Sequence, residues 1–198
     1  MIYKKTYTQP ELNSKEILRY CGCKDSDAEL QKLINEAVNE TLPHLSYRVC
    51  YDIFDIKISG NECDLGFVKT KSDDLAKNLA DCKKIILFAA TTGIEIDRII
   101  AKYSKISPAK AVIIQSIGAE RIEALCDTFC NEMSENYSLK PRFSPGYGDL
   151  PLVVQKDIFS YLDCPKQIGL TLNDSLLMSP SKSVTAIVGI KQEQNHEF

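Results

Sequence analysis

The sequence lacks a long apolar run and a strong excess of charge of either sign. No segment approaches the roughly 18 consecutive apolar residues of a membrane span. The first residues, Met-Ile-Tyr-Lys-Lys-Thr-Tyr-Thr, lack the apolar stretch of a secretory signal, so we expect a cytoplasmic protein that does not contact membranes. The formal charge of -3 and the pI near 5.5 give no general attraction to phosphate backbones. Because the basic residues are also dispersed, nucleic acid is not an expected partner.

The eight cysteines form neither a metal-binding pattern nor a disulfide framework. Cys21 and Cys23 are separated by one residue, which is closer than the usual zinc knuckle, and no second Cys-x-x-Cys or His pair completes a set. Cys126 and Cys130 lie four residues apart on a predicted helix, where reduced cysteine acts as a small apolar residue. Thiols without a framework are typical of a reducing compartment. No metal site is therefore predicted.

Two kinds of catalytic site lack necessary residues. His44 and His196 lie in no motif, so no serine has a plausible histidine partner for serine hydrolase chemistry. The segment Thr91-Thr92-Gly93 follows an apolar run and precedes a predicted helix, as in dinucleotide-binding folds, but it lacks the Gly-x-Gly-x-x-Gly set. An ordinary strand-to-helix turn is favoured there, and a contribution to a ligand cleft stays open as the alternative.

A chain of 198 residues suits one domain of ordinary size, and no repeat, low-complexity stretch or linker divides it. We expect a single domain over 1–198. It comprises a helical amino-terminal cap (1–45), a sheet with helices and a ligand loop (46–190) and a polar tail (191–198). Helices and short strands are interleaved without strict βαβ alternation, and a hairpin implies antiparallel pairing. The predicted fold class is therefore α+β, with a central antiparallel (mixed) sheet flanked by helices.

Periodicity, caps and turn signals predict the individual elements. Helices are predicted from Asn13 for about two turns, over 26–42, from Ser72, from about Ile94, over 107–133 and over 149–162. Strands are predicted over 47–58, 62–68, 84–90, 168–172 and 184–190. Gly60-Asn61 is a turn signal, so 62–68 is expected to return antiparallel to the strand before it.

The most informative segment is Arg142-Phe143-Ser144-Pro145-Gly146-Tyr147, termed the arginine loop below. It combines a guanidinium group, a Pro-Gly turn with bare backbone and an aromatic face. That combination suits a small molecule that carries a carboxylate and a flat ring. A second segment follows at 169–184, with the sequence Gly-Leu-Thr-Leu-Asn-Asp-Ser-Leu-Leu-Met-Ser-Pro-Ser-Lys-Ser-Val.

Together the two segments resemble the activation domain of cobalamin-dependent methionine synthase. In that family an Arg-x-x-x-Gly-Tyr loop binds S-adenosylmethionine, and Leu-Thr-Glu-Ser-x-x-Met-x-Pro-x-x-Ser-Val follows at similar spacing; the counterpart here is 172–184. The resemblance covers about residues 110–190. It implies a curved, single α+β unit with an antiparallel sheet. It also implies a module that supplies S-adenosylmethionine for the reductive methylation of cobalamin, and not a complete enzyme.

The resemblance also implies roles for individual residues. Arg142 would pair with the carboxylate of S-adenosylmethionine, the backbone of Ser144 and of Gly146-Tyr147 would hydrogen-bond the adenine, and Glu123 would approach the cationic end of the ligand. The resemblance also allows the ring of Tyr147 to face the flat, apolar corrin. The candidate cofactor-binding residues are Arg142, Ser144, Pro145, Gly146, Tyr147 and Glu123.

The chain departs from the family pattern at two places. The segment 185–189 (Thr-Ala-Ile-Val-Gly) stands where longer family members have Tyr-Phe. No counterpart is assigned to an aspartate that those members carry near the start of the domain.

The resemblance implies that a partner carries the cobalamin, either a methionine synthase or a related corrinoid protein. A reductase or a flavodoxin-type protein would donate the electron. Cobalt would be the nucleophile, so no catalytic side chain is predicted. Two alternatives stay open: a non-catalytic adaptor that docks on corrinoid proteins, and an independent S-adenosylmethionine-dependent methyltransferase, which the missing glycine-rich nucleotide loop disfavours.

Overall fold

The helices and strands of the chain confirm the predicted α+β class; they are described by a computed structural model over residues 1–192. The remainder of the predicted tail, 193–198, lies outside the described residues. The strands are β1 (Tyr3–Tyr7), β2 (Tyr47–Asp55), β3 (Lys57–Ser59), β4 (Glu62–Asp64), β5 (Lys69–Lys71), β6 (Cys82–Thr91), β7 (Thr171–Leu172), β8 (Met178–Ser179) and β9 (Ser183–Lys191). The helices are α1 (Ser14–Tyr20), α2 (Ala28–Thr41), α3 (Asp73–Asn78), α4 (Glu95–Ile106), α5 (Pro108–Ser134), α6 (Val154–Leu162) and α7 (Cys164–Ile168).

The main sheet has four antiparallel strands in the order β1-β2-β6-β9. Both faces of β6 are covered, which explains its nearly continuous apolar sequence. Because side chains alternate along a strand, Ile86 and Phe88 pack with Phe129 of α5 on one face. Ile85 and Leu87 pack on the other face, in a cluster that includes residues of α3, α6 and α7.

Helix α5 connects the sheet to the helices α1, α2 and α4. It is 27 residues long, which corresponds to about 40 Å, and Pro108 occupies its first turn, where no donor is lost. Its first half packs through Ile114 and Ile117 in a third cluster that includes residues of α1, α2 and α4. Its second half lies on the sheet. The middle of α5 therefore lies where these two packing regions meet.

A short extended segment lies against the edge of the sheet formed by β9. Leu139 and Phe143 form isolated antiparallel bridges with Ile190 and Ile187. The amide of Lys140 donates to the carbonyl of Gly189 at 2.8 Å. The side chain of Phe143 enters the cluster of α6 and α7. The segment therefore delivers the arginine loop to the rim of the sheet.

Several elements differ from the sequence predictions. The region 1–45 contains the two predicted helices but also β1, because alternate residues of Tyr3–Tyr7 contact β2 and α5: Tyr3 stacks on Tyr51, and Lys5 pairs with Glu132. Strand β4 returns on β3 and not on β2, whose two neighbours are β1 and β6.

The predicted elements over 149–172 are shorter than expected. Helix α6 begins at Val154, since residues 149–153 form turns. The predicted strand over 168–172 was wrong at its start, because Ile168 ends helix α7, whose first turn holds Pro165. Gly169 then leaves the helix in the left-handed conformation with φ 69°. Within residues 1–192, no helix combines the length and apolar character that a membrane crossing needs.

Candidate functional site

The arginine loop continues into a tight turn closed by its own backbone. The amide of Tyr147 donates to the carbonyl of Ser144 at 3.0 Å, and the amide of Gly146 donates to the carbonyl of Leu150 at 2.9 Å. Gly146 has φ 86°, in the left-handed region that favours glycine, and a Cβ there would lie 3.2 Å from Leu152 Cδ1. The backbone conformation alone therefore accounts for the glycine at this position.

Asp149 fixes the far end of this turn to the start of α3. Its carboxylate accepts hydrogen bonds from the hydroxyl of Ser72 and from the amides of Asp73 (2.7 Å) and Asp74 (3.2 Å). These bonds, that of Ser72 first, hold the pKa of Asp149 below its usual value. Sequence reasoning assigned Asp149 no role. The turn is thus fastened at one end to the sheet edge and at the other end to a helix.

Arg142 pairs with two carboxylates of α5. Its Nη2 lies 2.8 Å from Glu123 Oε2 and 3.1 Å from Asp127 Oδ1. Its Nη1 is buried and has no hydrogen-bond partner within the described part of the chain. Burial by itself would lower the pKa of Arg142, but the charged carboxylates of Glu123 and Asp127 raise it above its usual value. The guanidinium therefore keeps its charge, and its buried nitrogen Nη1 has no partner among the described residues.

The structure joins two of the candidate residues, Arg142 and Glu123, in an ion pair that was not predicted, and it adds Asp127. Asp127 follows Glu123 by four residues on the same helix face, and this spacing was the sequence signal for it. Cys126, one of the neighbouring thiols, is fully buried. Burial raises the pKa of Cys126 and of Cys130, so both thiols stay neutral beside the guanidinium.

A cleft of about 900 Å³ separates α5 from the segment before and within α1. We term it the acidic cleft. Its lining includes Glu11, Glu16, Glu120, Glu123 and Asp127, against the single basic residue Lys15. Glu16 and Glu120 are neutralised by adjacent arginines, and Glu123 shares one arginine with Asp127. The cleft as a whole is negative and favours a cationic ligand.

A smaller cleft of about 480 Å³ lies on the other side of the arginine loop. It is lined by residues that include Asn78, Arg142 and Tyr147. The ring of Tyr147 is 69% exposed and meets Phe143 edge to face, with ring centroids 5.2 Å apart. The amide nitrogen of Asn78 donates to the carbonyl of Pro141 at 3.2 Å. Glu123 and Tyr147 thus line different clefts, and Arg142 lies between them.

The remaining candidate positions line neither of the two clefts. Pro145 is buried in the turn, whereas Ser144 is partly exposed. Thr91 and Thr92 are fully buried and line neither of the two clefts. A Cβ at Gly93 would lie 2.4 Å from the hydroxyl oxygen of Ser46. The strand-to-helix turn reading is therefore favoured at 91–93.

The described residues include no cluster suited to metal binding. Over 1–192, no group of three or more His, Cys, Asp or Glu side chains is arranged to hold an ion. His196 lies outside that range.

Comparison with known proteins gives a likeness in fold. The sequence matches no protein-family model and no curated protein. A crystal structure described as the MetH reactivation domain bound to AdoHcy is similar, with a TM-score of 0.67 and 16% sequence identity. The alignment covers 96% of this chain and 78% of that chain. At this identity the likeness shows a related fold, and it agrees with the α+β unit that the sequence resemblance implied.

Proposed function

We propose that the protein binds S-adenosylmethionine and supports reductive methylation of cobalamin carried by a partner, a methionine synthase or a related corrinoid protein. The observation that carries the proposal is the cluster of Arg142, Glu123 and Asp127 beside the acidic cleft. The related fold of the reactivation domain supports it. A reductase or flavodoxin-type protein is the proposed electron donor.

The carboxylate of the ligand has a suitable partner in Arg142. The buried Nη1 lacks a hydrogen-bond partner among residues 1–192, and an unsatisfied buried donor costs about 1–3 kcal/mol. A ligand carboxylate removes that cost once a shift of the side chain exposes Nη1, which is closed to solvent in the free protein. Meanwhile Nη2, held by Glu123 and Asp127, orients the guanidinium plane before the ligand arrives.

The cationic end of the ligand matches the charge of the acidic cleft. S-adenosylmethionine carries a sulfonium and an ammonium group, and both are attracted to carboxylates. The side chains of Glu123 and Asp127 are 45% and 66% exposed, so they are open to a ligand while still paired with Arg142. Glu11 lines the same cleft.

The adenine has a partner in the carbonyl groups of the arginine loop. The amides of Gly146 and Tyr147 already donate within the turn. The carbonyls of Ser144 and Tyr147 each accept one hydrogen bond there and keep a second lone pair, which suits the exocyclic amino group of adenine. We therefore assign adenine recognition to these carbonyls.

The chain's own contribution to the reaction is positioning. Bound S-adenosylmethionine supplies the methyl group that the partner's cobalt accepts. Arg142 and the carboxylates of α5 hold the amino-acid end, and the turn at Gly146 holds the adenine at the opposite end of the ligand. Fixing both ends limits the motion of the methyl group between them, which is the usual source of rate gain by orientation.

Calorimetry of the purified protein with S-adenosylmethionine tests the proposal. We expect saturable one-to-one binding. A second experiment mixes the protein with S-adenosylmethionine, a one-electron reductant and a corrinoid partner whose cofactor is in the cob(II)alamin form. The absorption spectrum of the methylated cofactor should appear only when the protein is present. Equal methylation with and without it, together with no complex on a sizing column, would refute the proposed role.

A corrinoid-protein adaptor without ligand binding is the second candidate. It is favoured by the internal use of both loop amides and by a set of exposed apolar side chains on and beyond the arginine loop. These are Tyr147, Leu152, Val153 and Leu177. A complex on the sizing column combined with no heat of binding for S-adenosylmethionine would select the adaptor.

A further inference from the structure

A buried ion pair lies at the base of the acidic cleft. Glu120 and Arg121 are adjacent in α5, and their side chains are 3% and 0% exposed. Removing two charges from water costs several kcal/mol for each ion unless good hydrogen bonds compensate. The groups that hydrogen-bond Glu120 and Arg121 therefore indicate the role of this ion pair.

The pair's further hydrogen bonds go to the backbone of the segment that precedes α1. Arg121 donates from Nη1 to the carbonyl of Pro10 at 2.6 Å and from Nη2 to the carbonyl of Glu11 at 2.7 Å. Glu120 Oε1 accepts from the amide of Asn13 at 3.0 Å. Residues 10–13 belong to no helix or strand, so these side chains satisfy backbone groups that secondary structure leaves free.

The same segment lines the acidic cleft opposite α5. Residues 10–13 form part of the lining together with Glu120, Glu123 and Asp127. In α5, Glu120 and Arg121 closely precede Glu123 and Asp127. Their side chains contact residues 10–13, which form the opposite wall of the cleft. Short charged contacts therefore join the two walls of the cleft.

We propose that Glu120 and Arg121 are positioning residues that set the width of the acidic cleft, so that a cation bound by Glu123 and Asp127 also meets the wall formed by 10–13. This inference rests on the proposed binding of S-adenosylmethionine. Neither side chain needs to touch the ligand. They act through the backbone that they hold.

Helix α1 has an independent attachment to α5, so loss of the pair should act locally. Ile17 is fully buried in one cluster with Ile114 and Ile117 of α5. Those apolar contacts keep α1 in place when the charged contacts are removed. In the segment 10–13 the apolar contacts are limited to Pro10, which is buried, and Leu12, which is partly buried.

The test uses a double variant that leaves no buried charge unpaired. Arg121→Met alone would strand the carboxylate of Glu120, whereas replacing a whole buried pair by apolar residues is often neutral or stabilising. Glu120→Leu with Arg121→Met is therefore the test variant. The matched control is Glu40→Gln with Lys110→Met, which removes a 2.7 Å ion pair between α2 and α5, outside the cleft.

Amide hydrogen exchange of the free protein is the first measurement. The amides of Lys15, Glu16 and Ile17 donate to the side chain or carbonyl of Asn13, so they report whether Asn13 is still held. We expect at least tenfold faster exchange of these amides in the test variant, with protection of the α5 core and the melting temperature largely kept. The control should exchange as the wild type does at 15–17.

Calorimetry with S-adenosylmethionine is the second measurement, and we expect at least a tenfold rise in Kd for the test variant alone. Unchanged exchange at 15–17 would overturn the inference, and so would faster exchange with unchanged affinity. If the wild type itself binds no S-adenosylmethionine, the proposed function fails, and exchange alone then decides whether the pair holds the wall. If the test variant does not fold, Glu120→Gln with Arg121→Met replaces it. This variant keeps an acceptor for Asn13 and loses only the contacts of Arg121 with Pro10 and Glu11, so its readout is affinity alone, and an unchanged Kd would overturn the inference.

Discussion

Replacing Arg142 by alanine separates ligand binding from stability. In the free protein Arg142 is about one quarter exposed, and its carboxylate partners on α5 are 45% and 66% exposed. Ion pairs with such exposure contribute about 0–1 kcal/mol to stability. For a domain of this length, that loss lowers the melting temperature by only about 2–4 °C.

The effect on binding should be larger, because the carboxylate of S-adenosylmethionine would lose its charged partner. Truncating one partner of a desolvated, hydrogen-bonded charge pair costs about 2–5 kcal/mol. Since the site is partly open, we expect the lower part of that range, about 2–4 kcal/mol, or roughly a 30- to 1000-fold rise in Kd. Glu123 and Asp127, freed from the guanidinium, would also repel the ligand carboxylate.

Calorimetry and a thermal melt of the same samples give both quantities. Arg142→Lys should recover part of the affinity, because lysine keeps the charge but not the planar fork. Arg98→Ala is the control, since Arg98 forms an exposed i,i+3 pair with Glu95 on α4 and lies outside both clefts. An unchanged Kd in Arg142→Ala would remove Arg142 from the site, and a loss of folding that matches the loss of binding would make it structural.

Three further predictions concern charge, backbone and pH. S-adenosylmethionine should bind about fivefold more tightly than its neutral-sulfur product, since one charge near a solvated carboxylate is worth about 1 kcal/mol. Calorimetry should show that the double variant Glu123→Gln with Asp127→Asn loses this preference. If the preference persists, neither carboxylate contacts the sulfonium group. Gly146→Val should reduce the affinity for S-adenosylmethionine more than it reduces the stability of the fold. The left-handed backbone at Gly146 costs a branched residue about 1–3 kcal/mol, and a surface turn can relieve this strain by changing shape, which disturbs the ligand site. Equal losses of binding and stability would mean that the turn supports the fold. Lys110 and Tyr103 hold the pKa of Glu40 at about 2, below its usual 4.5. The contribution of Glu40 to stability should therefore be full above about pH 4.5 and lost as the pH falls towards 2. The free energies of unfolding of the wild type and of Glu40→Gln, measured with denaturant, should converge over that range, and a constant difference would contradict the assignment.

The elements that sequence alone predicted are those with strong local signals. The apolar run of β6 and the Ser107-Pro108 start of α5 are such signals, and both elements were predicted within about two residues. Strand β1 was missed because its reason lies far along the chain, in pairing with Tyr51 and contact with Glu132. Long-range pairing of this kind leaves little trace in local periodicity.

The residues of the candidate site also differ in whether the sequence could identify them. The resemblance implied that Arg142 and Glu123 bind different groups of one ligand, but it did not predict the ion pair between them. It did not reveal that Arg121 is buried, because the acceptors that make burial tolerable are backbone carbonyls of residues 10 and 11. Carbonyl groups carry no residue identity, so no sequence pattern records them.

The extended segment 139–143 has a consequence for solubility. It lies along β9, which would otherwise be an open edge of the main sheet. Behind that edge lie the buried apolar residues Ile187 and Val188, and an open apolar edge is a template for pairing with a second chain. The backbone that presents Arg142 thus also protects the protein from self-association. Variants that detach this segment should aggregate at high concentration even when the core of the fold stays intact.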